Sequence, residues 1–212
     1  MVIAAVRSES EGDPTEQVWA TLRQVPDPEI PVISVVDLGI VRYVRWGNAG
    51  ETNEAVKAWV SVSDDGERPN VPARGAPLGA ALGANEDVAK NLRVGLTPTY
   101  SGCPATEVIR KSVKDALIHA GYENIVIEDV LSPPWSSDWI TDDGRRKLQA
   151  YGITPPAESV SNPRRLLSPL VIACPRCASR NTERLSEFGS TPCKAHYRCV
   201  ACLKPFDYFK CI

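Results

Sequence analysis

The stretch TYSGCPATEVIRKSVKDALIHAGYENIVIEDVL, running from Thr99 to Leu131, decides the fold. Pro104 suits a first helical position, Val108, Ile109, Val113, Ala116, Leu117 and Ala120 line one helical face, and Gly121 is placed to end the helix. Ile125 to Leu131 then alternates as a strand. Upstream, Leu92, Val94 and Leu96 alternate into another strand, which stops at Thr97 and Pro98.

Earlier elements complete the layer. DPTEQVWATLRQV opens with Asp13 as a cap, Pro14 in the first turn and Glu16 reaching back, and Val18, Trp19, Leu22 and Val25 form its apolar face. PDPEIPVISVVDLGIVRYVRW reads as a proline-stiffened acidic loop, a turn, and a strand from about Ile40 to Trp46. A turn-rich break leads to AVKAWVSV, Ala55 to Val62, a strand that completes a hairpin. Residues 64–85 are rich in Gly, Pro and Asn and read as an insertion or mobile loop whose glycines lack the flanking strand and helix of a nucleotide loop. The order helix, strand, strand, strand, helix, strand predicts an α/β domain, a compact mixed-sheet sandwich with two main helices on one face.

This domain is expected over residues 13–152, where Thr141 caps a short last helix ending near Tyr151 and Gly152. Residues 153–169 read as a linker, and 170–212 as a small cysteine-rich, zinc-ribbon-like β domain. Charge splits the same way. Residues 160–212 carry nine Lys or Arg against three Asp or Glu, and residues 1–159 carry fifteen against twenty-three, so a net charge of −2 hides segments of +6 and −8. A four-thiolate zinc site itself carries about −2, so the basic tail requires no nucleic acid. The chain has 212 residues, 43% of them hydrophobic, with no apolar run long enough for a membrane span or a secretory leader; a cytoplasmic protein is expected.

Seven cysteines without a leader point to metal or thiol chemistry rather than disulfides. Cys174-x2-Cys177 and Cys199-x2-Cys202 form two knuckles able to direct four thiolates at one ion. Structural zinc is the favoured occupant and an iron-sulfur cluster the alternative. Cys193, His196 and Cys211 are candidates for additional metal ligands, against the default of buried reduced thiols and a surface histidine. Phe206, Tyr208 and Phe209 suit the ribbon's own core.

In the first domain, Cys103 is expected beside a helix cap, where backbone amides favour thiolate; it can bind metal, accept a cluster, attack a disulfide, or simply be a buried cap residue. Asp27, Glu29 and Asp37 offer carboxylates for acid-base work or as hard ligands for iron, unless they only solvate a turn. Trp135 and Trp139, beside Pro133 and Pro134, read as a partly exposed segment that anchors the linker or docks a partner. His119 is too far along its helix to complete a nucleophilic site with Cys103.

DPEIPVISVVDLGIVR together with LTPTYSGCPATEVIR resembles the small iron-sulfur assembly domain of the MIP-eighteen type. VLSPPWSSDWITDDGRRKLQAYGITPP, CPRC and FGSTPCKAHYRCVACLKPFDYFKCI are similar to the D-subunit family of the phenylacetyl-CoA epoxidase in bacterial phenylacetate catabolism. The resemblance implies an accessory factor, not itself catalytic, that assembles or maintains metal centres of a monooxygenase system. In that system a di-iron oxygenase draws electrons from a reductase carrying flavin and an iron-sulfur cluster. It also implies that Cys103 is the thiol handling a transient cluster or iron, with Asp27, Pro28, Glu29, Asp37, Gly39 and Thr97 around it. The knuckle cysteines match the tail's metal site, and Cys193 and Cys211 match the pattern too. Implied partners are the oxygenase or reductase subunits and an upstream iron-sulfur carrier. The insertion at 64–90 departs from the pattern.

Four readings compete. A maturation factor comes first, an architectural oxygenase subunit second, and a thiol oxidoreductase third, for want of a resolving cysteine in the first domain. A nucleic-acid-binding ribbon comes last.

Overall fold

The computed structural model describes residues 14–48, 90–100, 102–156 and 172–210. They form α1 (Pro14–Leu22), β1 (Val41–Asn48), β2 (Lys90–Leu96), α2 (Thr106–His119), β3 (Ile125–Asp129), a 3-10 turn at Ser137–Trp139, α3 (Asp142–Tyr151) and β4 (Ile153–Thr154). β5 (Thr182–Ser186), β6 (Lys194–Cys199) and β7 (Pro205–Phe209) follow. The expected cap at Asp13, the strand at 55–62 and all of the insertion at 64–90 except Lys90 lie outside the described residues.

The first sheet has the order β1-β2-β3, with β1 antiparallel and β3 parallel to β2. It is the mixed sheet the sequence predicts. A parallel neighbour needs a crossover, and α2 supplies it. α1 and α2 touch each other and reach β1 and β3 respectively. Val18 and Leu22 of α1, Leu92 and Val94 of β2, and Val113 and Leu117 of α2 are all fully buried in one core.

The buried stripe of α2 is narrower than expected. Ile109, Val113 and Leu117 recur every four residues and face the core, while Val108, one residue round the helix, is 50% exposed. Ala120 is exposed as well. At the far end Gly121, at φ +89, lets the chain turn, and the Tyr122 amide donates to the Leu117 carbonyl at 3.0 Å.

The second sheet has the order β4-β7-β6-β5. Ile153 and Thr154, expected to begin a linker, instead pair in parallel with Asp207 and Tyr208 of β7. Gly152, in the left-handed region at φ +97, turns the chain out of α3 directly into that strand. α3 starts as predicted, with the Thr141 hydroxyl accepting from the Gly144 amide at 2.9 Å.

The aromatics of β7 divide between two cores. Phe206 and Tyr208 join Ile172, Ala195, Cys174 and Cys199 in the ribbon's small cluster. Phe209, expected there as well, points to the opposite face of its strand and enters the first domain's core, as does Cys193. Trp135, expected to be partly exposed, is 4% exposed and packs in that same core, with its ring centroid 6.1 Å from that of Phe209. Trp139 is half-buried under the Arg42 guanidinium, 3.5 Å from its ring centroid. The two domains therefore share a hydrophobic seam. No helix among the described residues is long and apolar enough to cross a membrane.

Candidate functional site

In the ribbon the two C-x2-C pairs fold as knuckles. The Ala178 amide donates to the Cys174 carbonyl at 2.9 Å, and the Cys202 amide reaches the Cys199 sulfur at 3.5 Å. Ala178 and Leu203, each following the second cysteine of its pair, take positive φ to close the turn. The four sulfurs lie within 4.8 Å of one another, with Cys174 to Cys202 at 3.8 Å and Cys177 to Cys199 at 3.6 Å. Tetrahedral zinc with Zn–S bonds of about 2.3 Å demands sulfur separations of about 3.8 Å, so this donor set fits a four-thiolate ion. The Cys202 backbone amide, with the neighbouring thiols, pulls the Cys199 thiol down to about 6.

No second cluster of that kind forms among the described residues. Cys193 and His196, whose spacing suggests one, go separate ways. Nδ1 of His196 lies 3.0 Å from Asp207 Oδ1, whereas Cys193 turns toward the first domain. Cys211 lies outside the described residues.

The acidic loop sits across from Cys193. Asp27 is a turn-forming residue: its Oδ1 accepts from the Glu29 amide at 2.9 Å and from the Ile30 amide at 2.8 Å. Burial pushes its carboxyl above the ordinary value, against those two amides and the charge of the ribbon's Lys194. With Asp27 so occupied, Glu29 is the carboxylate presented outward from the loop.

Asp37 is not part of this arrangement. Burial raises its carboxyl, but Lys147 at 2.9 Å and the Ser34 amide and hydroxyl outweigh it and hold the group below the usual range. It ties the loop to α3. Thr97 is likewise structural in its contacts, its hydroxyl donating to the Val130 carbonyl at 2.6 Å.

Cys103 is expected at or beside the cap of α2; the cap residue is Ala105, with Pro104 between them. The Cys103 amide donates to the Tyr100 carbonyl at 3.3 Å, and its own carbonyl accepts from Thr106 at 3.1 Å. These successive turns point the carbonyl, not the thiol, at the helix's first amide. Gly102, at φ +82, makes the turn possible. The half-buried thiol instead lines a cavity of about 30 Å³ together with Asp27, Glu29, Thr97, Cys193 and Phe209.

Cys193 enters this cavity from the ribbon. Its sulfur is 3.0 Å from the Thr191 hydroxyl and donates toward Glu29 Oε2 at 3.7 Å. Burial, helped by the charge of Glu29, pushes its thiol up to about 11 although Thr191 opposes the shift. Beside it, the Tyr100 phenol is pushed up to about 12 by burial and by Cys103, with Glu29 and Cys193 adding to the shift.

The cleft joins residues far apart in sequence, and a comparison with known proteins covers both of its walls. Over 196 residues, 92% of this chain and 92% of the relative, the chain is 40% identical to an Escherichia coli K12 protein named as the D subunit of 1,2-phenylacetyl-CoA epoxidase. The chain belongs to the phenylacetyl-CoA epoxidase D-subunit family. Residues 159–210 match the family described as the PaaD zinc beta ribbon domain. Two solved structures are also similar. One is a domain of unknown function, DUF59, from Bacillus anthracis, with 23% identity, 63% of this chain and 90% of that one covered, and a TM-score of 0.40. The other is a Mycobacterium tuberculosis protein described as associated with iron-sulfur complex assembly and repair, with 28% identity, 69% and 95% covered, and a TM-score of 0.31.

In this member of the D-subunit family, spacing could find the knuckles but not the approach of Cys193 to Glu29, which depends on how the ribbon docks. Tyr100 carried no signal of its own. Only the seam, built by Trp135 and Phe209, brings these groups together.

Proposed function

We propose that this chain is an accessory maturation factor for the metal centres of a phenylacetyl-CoA epoxidase system, with Cys103 as the thiol that handles iron or a cluster on its way to a client. The observation that carries this reading is the cavity itself, where the half-buried Cys103 thiol stands with the outward carboxylate of Glu29. A sulfur and a carboxylate lining one cavity suit iron. The resemblance of the Asp27–Arg42 and Leu96–Arg110 segments to iron-sulfur assembly domains, and the relative's name, support it further. Asp27 shapes the loop that presents Glu29. The ribbon carries a structural zinc and helps recognise the client, an oxygenase or reductase subunit, or an upstream carrier in the cytoplasm. The chain itself is not the catalyst.

The test compares anaerobically purified wild type with Cys103→Ala, reading elemental iron and visible absorption of the protein and iron content of the epoxidase components made beside it. Loss of client iron with folding and tail zinc intact is expected. Full client loading by the variant would reject the role. The word subunit in the relative's name favours a second reading, a non-catalytic architectural member of the oxygenase. Stoichiometric copurification, with an active Cys103→Ala complex, would select it.

A further inference from the structure

Cys193 belongs to the ribbon, yet it is buried in the first domain's core and lines the same cavity as Cys103. We propose that Cys193 is the second thiol of the receiving site, so that Cys103, Cys193 and Glu29 together hold one thiophilic divalent ion, such as ferrous iron, across the seam between the two domains. This assignment rests on the maturation reading above, whose cargo it specifies.

Two observations carry it. Cysteine sulfurs from both domains and a carboxylate line one cavity, with the Cys193 sulfur 3.7 Å from Glu29 Oε2, and binding would draw Cys103 in to complete the set. The cavity, about 30 Å³, has room for one ion- or water-sized occupant and not for the several iron and sulfide atoms of a cluster. A cluster would require the domains to part.

The chemistry is binding without redox change. Each thiol loses its S–H proton to solvent as a metal–sulfur bond forms, and the ion stays divalent. Two thiolates and one carboxylate suit borderline ions of the iron, cobalt and zinc class. Unlike the closed four-thiolate tail, three protein ligands leave a coordination position open, through which cargo can be passed on.

The test uses the full chain with its tail filled with zinc, titrated anaerobically with cobalt(II) while thiolate-to-cobalt absorption is recorded. One further cobalt per chain is expected. Cys103→Ser and Cys193→Ser should each weaken it by roughly tenfold or more and halve the absorption, and Glu29→Gln should weaken it by roughly tenfold at unchanged absorption. Wild-type affinity and absorption in Cys193→Ser, with binding lost in Cys103→Ser, would overturn the two-domain site and leave the maturation reading standing. Should Cys193→Ser fail to fold, judged by zinc content and circular dichroism, alkylation of the wild type decides. Cobalt must protect Cys103 and Cys193 together, and protection of Cys103 alone overturns the proposal. If both thiols bind cobalt but neither serine variant changes client iron, the two-thiol ion site is upheld and the maturation reading falls.

Discussion

The indole nitrogen of Trp135 donates to the Leu38 carbonyl at 2.9 Å while its ring rests against Phe209. One side chain thus fixes the segment that follows the acidic loop and meets the strand that carries the ribbon. Asp27 and Glu29 sit before Leu38 on one side of the cavity, and Cys193, through β6 and β7, is held to Phe209 on the other. The spacing of the cleft is set by hydrocarbon packing, not by the ligands themselves.

Truncating that wedge should loosen both walls. Trp135→Ala is expected to cost about 3–5 kcal/mol through the cavity it leaves. Trp135→Phe, which keeps most of the ring but orphans the Leu38 carbonyl, should cost about 1–3 kcal/mol. Urea denaturation midpoints measure both, and no change for the phenylalanine variant would show that water replaces the lost bond.

Acid sensitivity should trace to Glu128. It is 8% exposed, accepts from Arg93 at 3.0 and 2.5 Å and from the Tyr43 hydroxyl at 2.5 Å. Burial raises its carboxyl, but Arg93 and Tyr43 outweigh burial and leave it below the ordinary value of 4.5. A depressed folded value means the unfolded chain takes up this proton first, so the contribution is complete above about pH 4.5 and fades as pH falls through the folded value. Glu128→Gln should flatten that part of the acid profile. It should also lose about 3–5 kcal/mol at neutral pH, because Arg93 is left buried without its counter-charge. Thermal melts from pH 7 to pH 3, compared with the wild type, read both effects.

Gly39 should accept no side chain. It sits at φ +68, and an added Cβ would stand 2.6 Å from the Trp139 carbonyl oxygen. The left-handed backbone alone costs an alanine about 1–2 kcal/mol, and the backbone clash adds to it. We expect Gly39→Ala to lose more than about 2 kcal/mol in chemical denaturation; a loss below about 1 kcal/mol would show that the 3-10 turn shifts aside freely.

Chelation should separate the two sheets in stability. The ribbon's apolar cluster holds only a handful of side chains, too few for independent folding, so stripping the four-thiolate ion should release it. Hydrogen exchange should then show β5 to β7 losing protection while β1 to β3 keep theirs, and Cys193 should become readily alkylated. Retained protection in the stripped ribbon would show that the seam alone holds it.

What is legible in the chain is local. The α2 stripe, the Thr141 cap and the paired knuckles depend on neighbours within a few residues or on one chemical type repeated, so periodicity and spacing reveal them. Long-range partners are not legible. Asp37 reads as a ligand beside Asp27 and Glu29, but its fate depends on Lys147, brought in by α3 from far along the chain. Cys193 is visible as a spare thiol beside His196. Strand alternation and docking, which no local window contains, send it toward Glu29 instead. The helix start is displaced from its expected place because Pro104 fits a first turn equally well in the turns that precede Ala105.

The pairing of Ile153 and Thr154 with β7 bears on how the molecule can be dissected. A fragment cut at residue 170 would strip away a strand, bare the backbone of β7 and leave Phe209 without its pocket, an invitation to edge-to-edge association. Precipitation of such a fragment would report a torn sheet rather than a failure of its thiols, so any excised ribbon should carry α3 and β4 with it.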